Sequence, residues 1–82
     1  MKNNLQNFND KYPDLLPIVQ LHLMCWTDEF GQDIVVDVAE TKEESKKQYD
    51  HYTSLGYNLV DQNFFGCGNE LRGIIQCFRK QN

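Results

Sequence analysis

The stretch TKEESKKQYDHYTSLGY, residues 41–57, decides the fold because it marks both ends of a helix. Thr41 can cap the first turn, and Glu44 follows three residues later, which is the spacing of a capping box. Gly56 can adopt the left-handed conformation that ends a helix. We therefore predict a helix that begins after Thr41 and ends at Gly56.

One side of this helix is predicted to cover a sheet. Four residues lie near that side and form a narrow stripe: Ser45, Tyr49, Tyr52 and Leu55. Tyr57, just after the glycine, is expected to pack back on Tyr52, as is usual for helices that end in this way.

Strand patterns lie on both sides of the helix. Apolar and polar residues alternate, or β-branched residues cluster, in four runs: IVQLHLMCW (18–26), IVVDVAE (34–40), YNLVDQNFF (57–65) and LRGIIQCFRK (71–80). Polar residues around Gly31 predict a hairpin between the first two runs, and Gly66 with Gly68 predict one between the last two. Gly73 inside the last run indicates a bulge or a close neighbour.

These patterns predict one small α+β domain over residues 1–82, with a core at 18–80 and an N-terminal arm at 1–17. The core is a ββαββ antiparallel sheet with one helix across a face. Leu5, Phe8 and Tyr12 are spaced for a short helix in the arm, although its asparagines also fit a loosely docked segment.

The C-terminal half, YDHYTSLGYNLVDQ followed by a glycine-containing turn and GIIQCFRK, resembles a family of small bacterial and phage-encoded α+β domains of unknown function. The resemblance covers about half of the chain. It rests on a helix followed by a Gly-aromatic-x-Leu-Val strand, and on a hairpin strand that ends in an aromatic-basic pair. The matching positions are Leu55, Gly56, Tyr57, Leu59, Val60, Phe78, Arg79 and Lys80.

Composition indicates a soluble cytoplasmic protein. An aromatic content of 12% is sufficient for a small core, and the longest apolar run, near Leu21–Trp26, is too short to span a membrane. Three cysteines cannot all pair within one chain, so free thiols in a reducing compartment are expected.

The residues predict neither an enzyme nor a cofactor. Cys67 has no base in its own turn, although His51 leaves a thiol enzyme or redox sensor open as an alternative. His22 and Cys25 would face opposite sides of the predicted strand, so no metal site is expected. Cys25 and Cys77 fit buried apolar positions, and His22 a solvated one.

Direct nucleic-acid binding is also not predicted. The basic cluster of Arg72, Arg79 and Lys80 with nearby phenylalanines is small, and the chain carries a net charge of −4 that phosphates would repel.

The remaining candidate is an acidic first hairpin. Between Tyr12 and Thr41 there are six acids and no lysine or arginine, an arrangement that steers association toward a basic surface. The predicted partner-binding residues are Asp28, Glu29, Phe30, Asp33, Asp37 and Glu40. We predict a small inhibitor or regulator, of the kind that phages and mobile elements encode against host defence or nucleic-acid-handling proteins, which binds a protein with a basic surface. Unprotected edge strands leave a self-associating homodimer as the other alternative.

Overall fold

The protein is a sheet with helices on both faces. The structure, a computed structural model, describes residues 3–67 and 69–81, except for the side chain of Cys67. The elements in chain order are α1 (Leu5–Lys11), a 3-10 turn (Pro13–Leu15), α2 (Leu16–Phe30), β1 (Ile34–Ala39), α3 (Lys42–Ser54), β2 (Tyr57–Cys67) and β3 (Glu70–Lys80).

The sheet has three strands in the order β1-β3-β2. Because β3 is antiparallel to both neighbours, β1 and β2 are parallel to each other and α3 connects them. This arrangement is a split β-α-β unit in which β3 occupies the central position. The α+β class and the antiparallel pairing are therefore confirmed.

One face of the sheet packs against α1 and α2. Val36 and Val38 from β1 and Cys77 from β3 lie in one core cluster with Phe8 of α1 and with two residues of α2, Val19 and Trp26. The opposite face packs against α3, whose Tyr52 ring lies 4.7 Å from the ring of Phe78. The predicted alternation along β1 is confirmed, since Ile34, Val36 and Val38 share one side.

The predicted first strand, residues 18–26, is wrong because these residues belong to α2. Val19, Leu23, Trp26 and Phe30 recur at helical spacing, and all four lie in or against the core. Pro17 in the first turn is tolerated because the amides there have no partner within the helix. The order ββαββ with one helix is therefore replaced by two N-terminal helices followed by β-α-β-β.

The helix predicted at residues 41–57 is confirmed. The Thr41 hydroxyl accepts the Glu44 amide at 3.1 Å, and Gly56 has a φ of +92°. Tyr57 packs edge-on against Tyr52 with ring centroids 6.1 Å apart.

The predicted inner stripe of α3 is partly wrong. Tyr49 and Leu55 are exposed, and Gln48 is buried in their place. The buried side of α3 is therefore more polar than the sequence indicates.

The N-terminal arm docks on the sheet and forms helix α1. Phe8 is buried over Gly73 of β3, where an added Cβ would lie about 3.1 Å from the ring carbons of Phe8. The register of β2 against β3 also shifts between Phe65 and Gly66. The close neighbour and the bulge indicated by Gly73 are both confirmed.

Candidate interaction surface

Helix α2 has apolar side chains on its outer side as well as on its inner side. Ile18, Leu21 and Met24 are 44%, 54% and 58% exposed, and they follow one another at spacings of three residues. Such spacing places side chains on one side of a helix. Exposed apolar side chains that cluster in one patch often mark a site of contact with another molecule. We call these three residues the α2 outer face.

Three exposed carboxylates follow the α2 outer face along the chain and make no ion pair among the described residues. Asp28 and Glu29 are exposed in the last turn of α2, and Asp33 is exposed in the connection to β1. Within the described ranges, none of the three carboxylates forms an ion pair with a lysine, arginine or histidine side chain. Asp28 and Glu29 are adjacent, so together they leave two negative charges without a partner at the end of α2.

The last turn of a helix is an unfavourable place for acids. The carbonyl groups there carry a partial negative charge, so a nearby carboxylate is destabilising by roughly 0.3–1 kcal/mol. Asp28 and Glu29 occupy this turn, and no basic residue accompanies them. The fold therefore does not account for these two acids.

Asp37 does not belong to an exposed acidic ribbon, and its predicted place there is wrong. Its side chain is fully buried between β1, α3 and the N-terminal segment. One carboxylate oxygen accepts the amides of Asn4 and Val38, each at 2.8 Å, and the other accepts the Tyr52 hydroxyl at 2.9 Å. Asp37 thus links three segments of the fold.

Two further predicted contact residues are engaged within the chain. Glu40 accepts a hydrogen bond from Lys11 Nζ at 2.9 Å, and this contact raises the pKa of Lys11. Phe30, the last residue of α2, is half-buried against the core cluster. The predicted acidic hairpin is wrong, because α2 takes the place of its first strand. Of its six predicted contact residues, Asp28, Glu29 and Asp33 remain exposed without an ion pair among the described residues.

The buried face of α3 contains a polar network that the sequence did not indicate. Gln76 Nε2 donates to Gln48 Oε1 at 3.0 Å, and Ser45 Oγ donates to Gln76 Oε1 at 2.9 Å. All three residues lie between the helix and the sheet. Each buried amide has partners, so the network fixes the position of α3 and leaves no vacant binding group.

The two cysteines whose side chains the structure describes have different surroundings. Cys25 is exposed on α2, so its predicted burial is wrong, whereas Cys77 is buried as predicted. Burial, with a smaller effect of the Asp61 charge, raises the pKa of Cys77 to about 12, which disfavours its thiolate. The side chain of Cys67 lies outside the described residues, so its reactivity stays a prediction.

His22 is half-buried and stacks on Trp26 with ring centroids 5.3 Å apart, so its predicted exposed position on a strand is wrong. Over residues 3–67 and 69–81, no three His, Cys, Asp or Glu side chains come close enough to share one metal ion. In the same part of the chain, no helix is long and apolar enough to span a membrane.

Depressions on the surface are shallow. One of about 320 Å³ lies at the open end of the β2–β3 pair, between Asn58, Val60, Arg79, Lys80 and Gln81. Another of about 310 Å³ lies near the β2–β3 turn and includes Phe64 and Leu71. Among the described side chains, neither is lined by a paired acid and base or by a thiol beside a histidine.

Comparisons of the chain with protein-family models, with curated proteins and with solved structures find no match in any of the three. The resemblance of the C-terminal half to small phage and bacterial domains thus stays a prediction.

Proposed function

We propose that this protein is a small non-enzymatic binding domain whose α2 outer face docks on another protein. The partner surface is apolar at its centre and bordered by lysines and arginines. One observation carries the proposal: Ile18, Leu21 and Met24 are exposed together on a helix that ends in two unpaired acids. Apolar side chains supply affinity at the centre of such contacts, and charges at the border select the partner.

Charge argues against a parallel pairing of this face with a second copy of the chain. An antiparallel crossing would bring Asp28 and Glu29 of one copy toward the 3-10 turn of the other, where Asp14 is paired with Arg72 at 3.2 Å. A parallel crossing would place the same acids side by side. No lysine or arginine lies within α2, so the parallel arrangement leaves these acids uncompensated. A basic protein surface would compensate them.

The position of the acids supports the same conclusion. Asp28 and Glu29 lower the stability of α2, so a benefit outside the fold would account for them. Attraction to a basic partner is such a benefit, because uncompensated charges at the border of a contact accelerate association. A protein that handles nucleic acid exposes basic surfaces of this kind. An inhibitor or regulator that occupies such a surface on a host protein fits the size and charge of this domain.

The first test uses two leucines of matched exposure. Leu21 on the α2 outer face is 54% exposed, and Leu55 beyond the end of α3 is 56% exposed. Immobilised wild type, Leu21→Ser and Leu55→Ser are used to capture partners from host lysate, and affinities are then measured with the purified partner. We expect Leu21→Ser to weaken binding about tenfold or more, as loss of a central apolar contact does, and Leu55→Ser to leave it unchanged. Equal affinities of the two variants for the partner would show that the α2 outer face is not the binding site.

The second test concerns charge. Asp28→Lys with Glu29→Lys is compared with Glu43→Lys and Glu70→Lys, which change the net charge equally at distant exposed positions. We expect only the first pair to slow association and to reduce its dependence on salt. An equal effect of both pairs would show that overall charge, and not the border of α2, attracts the partner.

A further inference from the structure

The backbone amide and carbonyl groups of β3 point alternately toward β1 and β2. Two hydrogen bonds show which residues of β3 point toward each neighbouring strand. The Lys80 amide donates to the Asp33 carbonyl, before β1, at 3.0 Å, and the Gln81 amide donates to the Gly56 carbonyl, before β2, at 2.9 Å. Successive residues of an antiparallel strand direct these groups to opposite sides. Even-numbered residues of β3 therefore bond to β1, and odd-numbered residues from Gly73 onward bond to β2.

The outer edge of β1 is covered by the chain itself. Val36 and Val38 pair with odd-numbered residues of β3, so their backbone groups point away from the sheet. Asn3 Nδ2 donates to the Val36 carbonyl and Gln48 Nε2 to the Val38 carbonyl, each at 2.8 Å. The Val38 amide donates to the Asp37 carboxylate at 2.8 Å. Side chains thus occupy the positions at which another strand would bind.

The outer edge of β2 is open by comparison. Gln62 and Phe64 pair with even-numbered residues of β3, so their backbone groups point outward. Among the described side chains, only Asp61 bonds to this edge, where it accepts the Gln62 amide at 2.8 Å. The strand has 11 residues without lysine, arginine or proline. Its two protective features, the bulge between Leu59 and Asp61 and the charge of Asp61, come before Gln62. Phe64 in its middle is 60% exposed.

We propose that β2 pairs antiparallel with β2 of a second copy about a two-fold axis at Phe64. The two three-stranded sheets would then form one six-stranded sheet. In this register Phe64 lies opposite Phe64 of the other copy, and Gln62 lies opposite Gly66. The outward backbone groups of both copies gain partners, and the two exposed rings become cross-strand neighbours.

Charge opposes a second copy only weakly at this edge. The β2–β3 hairpin contains two acids, Asp61 and Glu70, and three basic residues, Arg72, Arg79 and Lys80, so its net charge is +1 in a chain of net charge −4. The register also places Asp61 opposite residue 67, so the two Asp61 carboxylates do not face each other.

A contact confined to one strand is small, so the dimer is expected to be weak and in rapid exchange. Sedimentation equilibrium of the full chain under reducing conditions, from micromolar to millimolar concentration, measures it directly. We expect a reversible monomer–dimer equilibrium that Phe64→Lys weakens about tenfold or more, since two lysines would then face each other. Leu55→Lys, at a residue of similar exposure outside the strand, is expected to leave the equilibrium unchanged.

Amide hydrogen exchange of the wild-type protein provides a readout that needs no variant. The Phe64 amide is expected to exchange more slowly at high protein concentration, whereas the Asn63 amide, which points toward β3, keeps the same rate. A chain that stays monomeric over the whole range would overturn the proposal. So would a dimer that Leu21→Lys weakens and Phe64→Lys does not, since that result would place the contact on α2.

Discussion

The phenolic hydroxyl of Tyr52 donates to the buried carboxylate of Asp37 at 2.9 Å and thereby joins helix α3 to strand β1. The same carboxylate holds the amide of Asn4 at the start of α1. Three segments that are distant in sequence therefore converge on one acid. A buried carboxyl group in this position is tolerated because hydrogen-bond donors surround it.

Removing the Tyr52 hydroxyl tests the strength of this link. We expect Tyr52→Phe to lower the free energy of unfolding by about 1–3 kcal/mol, because a buried carboxylate loses a donor. Tyr49→Phe, on the exposed side of the same helix, is the control and is expected to change stability by less than about 0.5 kcal/mol. Urea denaturation measures both, and equal losses would show that the hydrogen bond contributes little.

Stability is expected to fall at alkaline pH. Burial, together with the hydrogen bond to Asp37, raises the pKa of Tyr52 from 10.0 to about 12, and burial raises the pKa of Cys77 from 9.0 to about 12. Both groups bind their protons more tightly in the folded state. The stabilisation that the two protonated groups give to the folded state is therefore complete below pH 9. It is lost as the pH rises toward 12.

Thermal denaturation at a series of pH values measures this loss. Cys77→Ala is expected to flatten the decline above pH 9, because one of the two groups no longer titrates. The slopes of stability against pH are compared, since the variant is also less stable than the wild type at neutral pH. A slope equal to that of the wild type would show that the Cys77 thiol is not responsible.

The contact of Phe8 with Gly73 predicts a steric penalty. An alanine methyl group at residue 73 would stand about 3.1 Å from the Phe8 ring, so we expect Gly73→Ala to cost about 1–3 kcal/mol of stability. In a Phe8→Leu background the same substitution is expected to be nearly neutral. This double-mutant cycle isolates the contact, and a cost that persists with leucine would assign the effect to the strand backbone.

The acids at the end of α2 predict a gain in stability when they are neutralised. Asp28→Asn with Glu29→Gln is expected to raise the free energy of unfolding by about 0.5–2 kcal/mol, because the helix end then lacks two unfavourable charges. Glu43→Gln in the first turn of α3 is the matched control and is expected to act in the opposite direction. Chemical denaturation measures both effects. If Asp28→Asn with Glu29→Gln lowers the free energy of unfolding, the argument that these acids serve binding at the expense of stability is lost.

Local patterns predicted α3, β1, β2 and β3, because each has its own cap, turn or alternation. Helix α2 was missed because Val19, Leu21, Leu23 and Cys25 alternate as in a strand. Spacings of three and four residues connect Val19, Leu23, Trp26 and Phe30 equally well. Only the packing of those four residues over the sheet distinguishes the two patterns.

The candidate interaction surface could likewise be predicted only in part from the sequence. The excess of acids before Thr41 is visible in the sequence, and three of those acids do remain exposed without partners. Burial of Asp37 could not be read from the strand alone, since Asn4 and Tyr52 come from other parts of the chain. The α2 outer face could be recognised only after residues 18–26 were known to be helical.

The central position of β3 has a consequence for biosynthesis. β1 and β2 do not pair with each other, and each makes its ladder with β3, the last of the three strands to leave the ribosome. A nascent chain that has emerged only as far as β2 therefore has no sheet on which its helices can pack. We expect translation to pass residue 80 before any stable intermediate forms, after which the whole domain folds in a single cooperative step.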